Sequence, residues 1–269
     1  MRKDHPGWPV GLDDLGRGAP DRLWVLGADA AAAPGGWVAV VGTRSADPVA
    51  LRAGREIAQC AVDEGCGVIS GGAMGVDAAA HAGAVEAGGV TVAVLAGGLD
   101  RPSPARNRRL FEAMVDAGGG LWTEAAPGST VYRRSFPQRN RLIAAAASLV
   151  VVVQARERSG SMSTAAHASR LGRPLAVVPG GWRDSSRGGC AALLRRGASP
   201  VTGPGDLARL LGVAPGRVAA GPTGDAARVL DLLRAGASGA EELGRATGWE
   251  VGRCLAAVTE LEVGGWWGA

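Results

Sequence analysis

Lysine is almost missing from this chain. Lys3 is the only lysine among 29 basic residues, and the other 28 are arginines. A phosphate-binding loop of the Walker A type needs a lysine after its glycines, so that class of nucleotide site is excluded. A lysine that forms a Schiff base would have to be Lys3, close to the chain terminus.

Cysteine and histidine are also scarce, with four and three residues among 269. No two cysteines have the CxxC spacing, so no structural zinc site is expected. Free thiols suit a reducing cytosol. No apolar run is long enough to span a bilayer, and the polar N-terminus does not resemble a signal peptide. The sequence predicts a cytoplasmic protein that uses no metal and no other cofactor.

Acidic residues are scarce in the middle of the chain. Residues 101–196 contain 16 arginines against 5 acidic residues, a net charge of +11. Residues 1–100 contain 7 basic against 12 acidic residues, a net of −5, and residues 223–269 contain 4 against 7, a net of −3. This clustering indicates a polyanion site in the middle segment. Because aromatic residues make up only 4%, we expect affinity to depend on phosphates more than on stacking.

Short apolar runs alternate with amphipathic helical patterns. This alternation predicts an α/β fold, extended and Rossmann-like, in which a mostly parallel sheet has helices on both faces. A small helical module, similar to a winged helix, is expected at the C-terminus. The predicted strands are Trp37–Val41, Gly67–Ile69, Val90–Leu95, Gly120–Thr123, Leu149–Val153 and Leu175–Val178.

The composition also predicts where domains begin and end. Residues 1–36 form a lead-in segment rich in proline, glycine and aspartate, and residues 37–212 form the Rossmann-like domain. Residues 213–224 have the composition of a linker, and residues 225–269 contain three short helical patterns. Within the main domain, residues 125–138 are predicted to be irregular and residues 139–147 helical.

Two glycine-containing turns follow predicted strands near the start of the domain. Gly42, Thr43 and Arg44 can offer backbone amides, a hydroxyl and a guanidinium to a phosphate. Gly71 and Gly72 lie between a strand and a helix, where an anion can approach the backbone. The alternative for the first is a tight strand-to-helix turn with an exposed arginine, and the alternative for the second is a packing turn. The second turn lacks the full GxGxxG spacing, which argues against a dinucleotide site.

Two further turns follow later strands. One is Phe136-Pro137-Gln138-Arg139-Asn140-Arg141, where two arginines and an amide can hold successive phosphates and the phenyl ring can stack on a base. The other contains Ser159, Gly160 and Ser161 ahead of a helix. Because parallel strands end at one edge of a sheet, we expect the four turns to share that edge.

The chain resembles the DNA-processing protein A family, also called DprA or Smf. The resemblance covers residues 37–207 and rests on several long motifs in the right order. They are VAVVGTRSADP (38–48), SGGAMGVDAAAHAGAVEAGG (70–89), VAVLAGGLDRPSPARNRRLFEAM (92–114), SFPQRNRLIAAAA (135–147) and RSGSMSTAAHA (158–168).

This resemblance implies a protein that binds single-stranded DNA and loads a RecA-type recombinase in natural transformation and recombination. It implies a homodimer and no catalytic residues. The implied DNA pocket contains Gly42, Thr43, Arg44, Phe136, Arg139, Asn140, Arg141, Ser159, Gly160 and Ser161.

The alternative function is catalytic or sensory. LOG-type phosphoribohydrolases share this general fold and carry a PGGxGTxxE motif. Here Pro179-Gly180-Gly181 is followed by Trp182, Arg183 and Asp184, without the glutamate that acid–base chemistry on the glycosidic bond needs. Hydrolysis is therefore disfavoured, whereas a sensor of nucleotide-derived signals stays open.

Overall fold

The computed structural model describes residues 1–132, 134–212, 224–237 and 239–263. The chain divides into two compact units, Met1–Pro215 and Gly216–Ala269. Each unit has its own hydrophobic core.

The first unit is built on one eight-stranded sheet with the order β1-β5-β4-β3-β2-β6-β7-β8. All neighbouring strands are parallel except β1, which pairs antiparallel with β5 at one edge. The strands are β1 (Trp24–Gly27), β2 (Trp37–Val41), β3 (Gly67–Ser70), β4 (Thr91–Val94), β5 (Gly120–Thr123), β6 (Leu149–Val152), β7 (Leu175–Val177) and β8 (Ser199–Pro200).

Helices cover both faces of the sheet, as the apolar strands require. In β2, Val38 and Val40 pack into the core on one face, and Ala39 and Val41 pack into the core on the other. The helices of this unit are α1 (Pro48–Asp63), α2 (Val76–Glu86), α3 (Arg108–Asp116), α4 (Ser135–Ala146), α5 (Gly160–Arg170), α6 (Gly188–Arg195) and α7 (Pro204–Leu210). This arrangement confirms the predicted fold class.

The order of the strands creates one topological switch point. The chain proceeds from β2 outward through β3, β4 and β5, and then returns to place β6 on the other side of β2. The loops after β2 and β6 therefore diverge and leave a crevice at the carboxyl ends of these strands. Ligands of open α/β sheets bind in such a crevice.

The lead-in segment 1–36 packs onto the sheet. Strand β1 adds the antiparallel edge, with Trp24 opposite Thr123. Trp8, Leu12 and Leu23 are buried in the same core as β2 and β6. These apolar contacts explain why a segment rich in proline and glycine is ordered against the domain.

Helix α4 begins earlier than the sequence predicts. Residues 125–138 are predicted to be irregular, but α4 starts at Ser135, so Phe136 already lies in its first turn. Proline is tolerated in the first turn of a helix because the amide it lacks has no intrahelical partner there. Pro137 is thus compatible with a helix, although the proline and glycine content of this segment predicts irregular structure.

The described residues of the second unit form three helices: α8 (Gly224–Arg234), α9 (Ala240–Thr247) and α10 (Val251–Val263). Val229, Leu230, Leu243, Cys254 and Leu261 form its core. The predicted linker up to residue 223 lies outside the described residues. Among the helices that the structure describes, none is long and apolar enough to cross a membrane.

Candidate nucleic-acid interface

A cleft of about 620 Å³ opens at the switch point between β2 and β6. Its walls come from three segments that are distant in sequence: the turn after β2, the first turns of α4, and the turn that begins α5. Nine of the predicted site residues line it, namely Gly42, Thr43, Arg44, Phe136, Arg139, Asn140, Ser159, Gly160 and Ser161.

The turn after β2 is held by backbone hydrogen bonds on both sides. The Thr43 amide donates to the Gln154 carbonyl at 2.8 Å, and the Thr43 carbonyl accepts from the Val76 amide at 3.2 Å. A Cβ atom on Gly42 would lie only 2.5 Å from the Val76 side chain, so this close approach requires glycine. The turn is fixed between β6 and α2.

Arg44 and Phe136 form the aromatic part of the cleft. The Arg44 guanidinium lies over the Phe136 ring, 4.7 Å from the ring centroid. Arg44 is exposed and Phe136 is half-buried. A planar cation on a planar ring is held in place while it remains open to solvent, where a phosphate or a base can reach it.

The start of α5 forms the opposite wall. Ser159 occupies the N-cap position, but its side chain does not cap the helix amides. Its Oγ lies instead 2.8 Å from the Oγ of Ser161. Asn140 is 7% exposed and donates from Nδ2 to the Gly160 carbonyl at 3.1 Å, which ties α4 to this turn. A helix N-terminus whose amides lack a side-chain cap favours an anion.

Arg139 differs from the expected phosphate clamp. Its side chain is 5% exposed and donates from Nη1 to the carbonyls of Gly71 and Val94. Burial lowers the pKa of Arg139 to about 10, while the neighbouring Asp77 carboxylate opposes that shift. The guanidinium stays charged at neutral pH, but its hydrogen bonds hold the loops together beneath the cleft.

Gly71 and Gly72 do not line the cleft. The amides of Gly71 and Ala73 both donate to the carboxylate of Asp77, at 3.1 and 3.3 Å. A side chain of the protein therefore occupies the position where the sequence predicts an external anion. A Cβ atom on Gly71 would lie 2.5 Å from Arg139, so glycine is required here by internal packing.

Arg141 points into a neighbouring cleft at the ends of β4 and β5. It pairs with both carboxylate oxygens of Glu124, at 2.7 and 2.6 Å, and donates from Nε to the Gly18 carbonyl. One helical turn separates Arg141 from Gln138, whose carbonyl it also contacts. Arg139 and Arg141 therefore do not lie side by side to hold successive phosphates, because residues two apart on a helix face different directions.

Three residues that the sequence did not single out organise the rim of the cleft. Gln154 donates from Nε2 to Asp47 at 2.7 Å, and Asp47 caps α1 by accepting from the Ala50 amide. Arg187 pairs with Asp47 at 3.0 Å. Of these three residues, only Asp47 has a recognisable sequence pattern. It stands directly before a proline at the start of α1, which is typical of an N-cap.

Asp77 and His81 lie four residues apart on α2, but they do not bond to each other. His81 Nδ1 lies 2.7 Å from Thr91 Oγ1, which donates to the Val68 carbonyl, so the imidazole is the donor in this pair. Burial lowers the pKa of His81 to about 3. Among the residues that the structure describes, no cluster of His, Cys, Asp and Glu could hold a metal ion.

Comparison with solved structures identifies similar proteins. DNA processing protein A from Streptococcus pneumoniae has 32% sequence identity and a TM-score of 0.71 over 78% of this chain and 72% of that chain. DNA processing protein A from Helicobacter pylori, described for its single-stranded DNA binding mode, has 27% identity and a TM-score of 0.69 over 79% and 93%.

The curated relatives include a putative DNA processing protein DprA of Mycobacterium tuberculosis, which is 45% identical over 65% of this chain and 44% of the relative. Protein Smf of Synechocystis is 36% identical over 66% and 44%. The matched region thus spans less than half the length of these relatives.

Two family models cover nearly the whole sequence. The DprA winged helix domain matches residues 213–266, which include the three-helix unit. The model of DNA recombination-mediator protein A matches residues 1–212, which contain the sheet and the cleft. The chain belongs to the family of DNA recombination-mediator protein A.

Proposed function

We propose that the cleft between β2 and β6 binds the backbone of single-stranded DNA. The observation that carries this proposal is the meeting of Arg44, Phe136 and the uncapped start of α5 around one cleft. Arg44 supplies a charge for a phosphate, the amides at Gly160 and Ser161 supply donors, and Phe136 supplies a ring for a base.

The charge distribution supports a polyanion. Among the described residues that line the cleft, Asp77 is the one carboxyl group. Burial raises its pKa, and its oxygen accepts from the amides of Gly71 and Ala73. Arg156 and Arg158 are exposed in the loop that leads from β6 to α5. An approaching phosphate therefore meets arginines at the rim and no free carboxylate inside.

Two features favour a single strand over a duplex. The cleft presents Phe136 beside its cationic groups, and an aromatic ring can stack only on a base that is not enclosed in a double helix. The protein from Helicobacter pylori, with the same fold over most of the chain, is described as binding single-stranded DNA. No observation in this chain favours a nucleotide hydrolase or a nucleotide sensor to the same degree.

The family description supports a further step. A recombination mediator delivers a strand to a recombinase, so we propose that this chain loads a RecA-type recombinase. We also propose that it acts as a homodimer, as the resemblance to the family implies. No catalytic residue is assigned. Sedimentation of the full chain measures its oligomeric state. Loading is measured as ATP hydrolysis by the recombinase on strands coated with a single-strand binding protein. If addition of this chain leaves that rate unchanged, the loading proposal is contradicted.

The test of the proposed function compares labelled (dT)20 with a 20-base-pair duplex by fluorescence anisotropy across a salt series. The single strand should bind more tightly. Its log affinity should fall linearly with log salt, with a slope of about −0.7 for each phosphate contact. Equal affinity for both forms, or an affinity that salt does not change, contradicts the proposal.

A further inference from the structure

Trp182 is the most exposed large apolar side chain that the structure describes, at 91%. The other tryptophans within the described residues are buried or half-buried. The Arg183 guanidinium lies over its indole ring, 4.7 Å from the centroid. Trp182 has no packing role that would explain a tryptophan in water, and an exposed aromatic ring of this kind marks a contact surface.

The loop that carries Trp182 emerges at the same edge of the sheet as the cleft. It follows β7, which pairs in parallel with β6. The turn at Ser159–Ser161 follows β6, and neighbouring strands lie about 5 Å apart. The Trp182 loop therefore lies beside the turn at the start of α5, which forms one wall of the cleft.

Hydrogen bonds tie this loop to the cleft. Arg187 pairs with Asp184 at 2.7 Å and with Asp47 at 3.0 Å. Asp47 accepts from Gln154, and the Gln154 carbonyl accepts from the Thr43 amide. The chain of contacts from the Trp182 loop to the turn after β2 is therefore continuous, and it fixes the loop relative to the cleft.

The segment between β6 and α5 carries a net positive charge. Arg156 and Arg158 are exposed there, with the exposed Glu157 between them, just before the turn at Ser159. The Ala155 carbonyl in this segment accepts from the Gly189 amide at 2.8 Å, which brings the segment against the start of α6. A phosphate backbone that extends from the cleft toward β7 would pass this segment, because β6 and β7 are neighbouring strands.

We propose that Trp182 and Arg183 form a second base-stacking position for the single strand bound in the cleft. This inference rests on the proposed function. Arg183 covers one face of the indole and leaves the other face to a base. Stacking of bases on aromatic side chains tolerates any sequence, because every base has a π-face. The position therefore extends the site without making it sequence-specific.

The arrangement of the other stacked pairs agrees with this assignment. Three of the five arginine–aromatic stacks among the described residues follow strands at the carboxyl edge of the sheet: Arg134 on Tyr132 after β5, Arg44 on Phe136, and Arg183 on Trp182 after β7. Tyr132 is the only tyrosine of the chain and is 55% exposed. Three aromatic rings, each stacked with an arginine, thus lie at the edge of the sheet where a single strand would pass.

The experiment measures binding of labelled (dT)20 to the full-length chain, W182F and W182A at one salt concentration. W182A should bind about fivefold more weakly or worse, since one lost stacked base costs about this much or more. W182F should stay within about twofold. The salt slope of W182A should match that of the native chain, because no phosphate contact is removed.

A 20-residue abasic strand with the same phosphates is the matched ligand. The native chain and W182A should bind it equally, because it offers no base to stack. V10A removes exposed apolar surface from another segment, since Val10 is 79% exposed, and it should bind (dT)20 like the native chain. Thermal unfolding of W182A should be unchanged, because the ring contributes little buried surface.

The outcomes separate this inference from the proposed function. If the native chain binds (dT)20 and W182A binds it equally well, the stacking position is overturned and the function stands. If W182A loses affinity for the abasic strand to the same extent, or changes its sedimentation without changing DNA binding, Trp182 serves another contact and the inference fails. If the native chain binds no single strand, both fail.

Discussion

The guanidinium of Arg44 lies 4.7 Å from the centroid of the Phe136 ring, although the two residues are 92 positions apart in the sequence. Arg44 follows β2, and Phe136 lies in the first turn of α4. Their contact brings a charge for a phosphate and a ring for a base together in one cleft. This pair is the contact on which the proposed binding of a single strand chiefly depends.

Arg44→Ala removes a charge-assisted phosphate contact. Affinity for (dT)20 should fall by roughly 10- to 100-fold, which corresponds to about 1.5–3 kcal/mol. The salt slope should flatten by about one contact. Anisotropy titrations at several salt concentrations measure both quantities.

The control for this prediction is Arg195→Ala. Arg195 is also an exposed arginine, but it lies in the last turn of α6, which runs from the carboxyl edge of the sheet back to the opposite edge. Its removal should leave the affinity within about threefold. An unchanged slope for Arg44→Ala, or an equal loss in both variants, would place the site elsewhere.

Arg139→Ala should affect the free energy of unfolding first, and the affinity for DNA only as a consequence. The substitution leaves the buried carbonyls of Gly71 and Val94 without their donor and removes the positive charge beside Asp77, whose pKa burial already raises. Each buried acceptor left without a partner costs about 1–3 kcal/mol. Chemical denaturation measures the free energy of unfolding. Asp77→Ala/Arg139→Ala should lose less than the sum of the two single variants, because the side chains are coupled. A fully stable Arg139→Ala with weak DNA binding would instead make Arg139 a direct ligand contact.

Two glycines should respond differently to alanine. A Cβ atom on Gly71 would lie 2.5 Å from Arg139 and 2.7 Å from Asp77, so Gly71→Ala should destabilise the fold by about 1–3 kcal/mol. A Cβ atom on Gly160 would meet nothing within 4 Å. Gly160→Ala should therefore change the free energy of unfolding by less than about 1 kcal/mol. Equal destabilisation by the two substitutions would contradict the packing described here.

The buried imidazole predicts a pH dependence of stability. Burial lowers the pKa of His81 to about 3 from the usual 6.5. Between these two values the unfolded chain binds a proton that the native chain does not, so the free energy of unfolding falls as the pH falls. The loss approaches about 1.4 kcal/mol per pH unit.

His81→Gln removes this titration and keeps a group that can donate to Thr91. From pH 6 to pH 5, the native chain should lose about 1 kcal/mol more stability than the variant. Denaturant titrations at the two pH values give the comparison. The same loss in both proteins would mean that the pKa of His81 is not lowered in the native state.

Much of the fold follows from local sequence patterns. Trp37–Val41 and Gly120–Thr123 were predicted to the residue, because each is a short apolar run bounded by glycine or polar residues. The start of α4 was missed because Pro137 suggested a loop, whereas its position in the first turn is compatible with a helix.

The composition of the cleft was predictable, but the roles of its arginines were not. Arg139 and Arg141 look alike in sequence, yet one is buried beneath the cleft and the other pairs with Glu124. These partners, Gly71, Val94 and Glu124, come from distant segments, so no local pattern reports them. Asp77 is only six residues after Gly71, and it supplies internally the anion that this turn is expected to take from a ligand.

The central claim is that the single strand lies in the cleft between β2 and β6. Photocrosslinking with an oligo-dT that carries bromodeoxyuridine, followed by mass spectrometry of the peptides, tests it most directly. Crosslinks should fall on the peptides that contain Phe136 and Ser159–Ser161. Crosslinks confined to the cleft at the opposite edge of the sheet, around Trp8 and Ser148, would contradict the account.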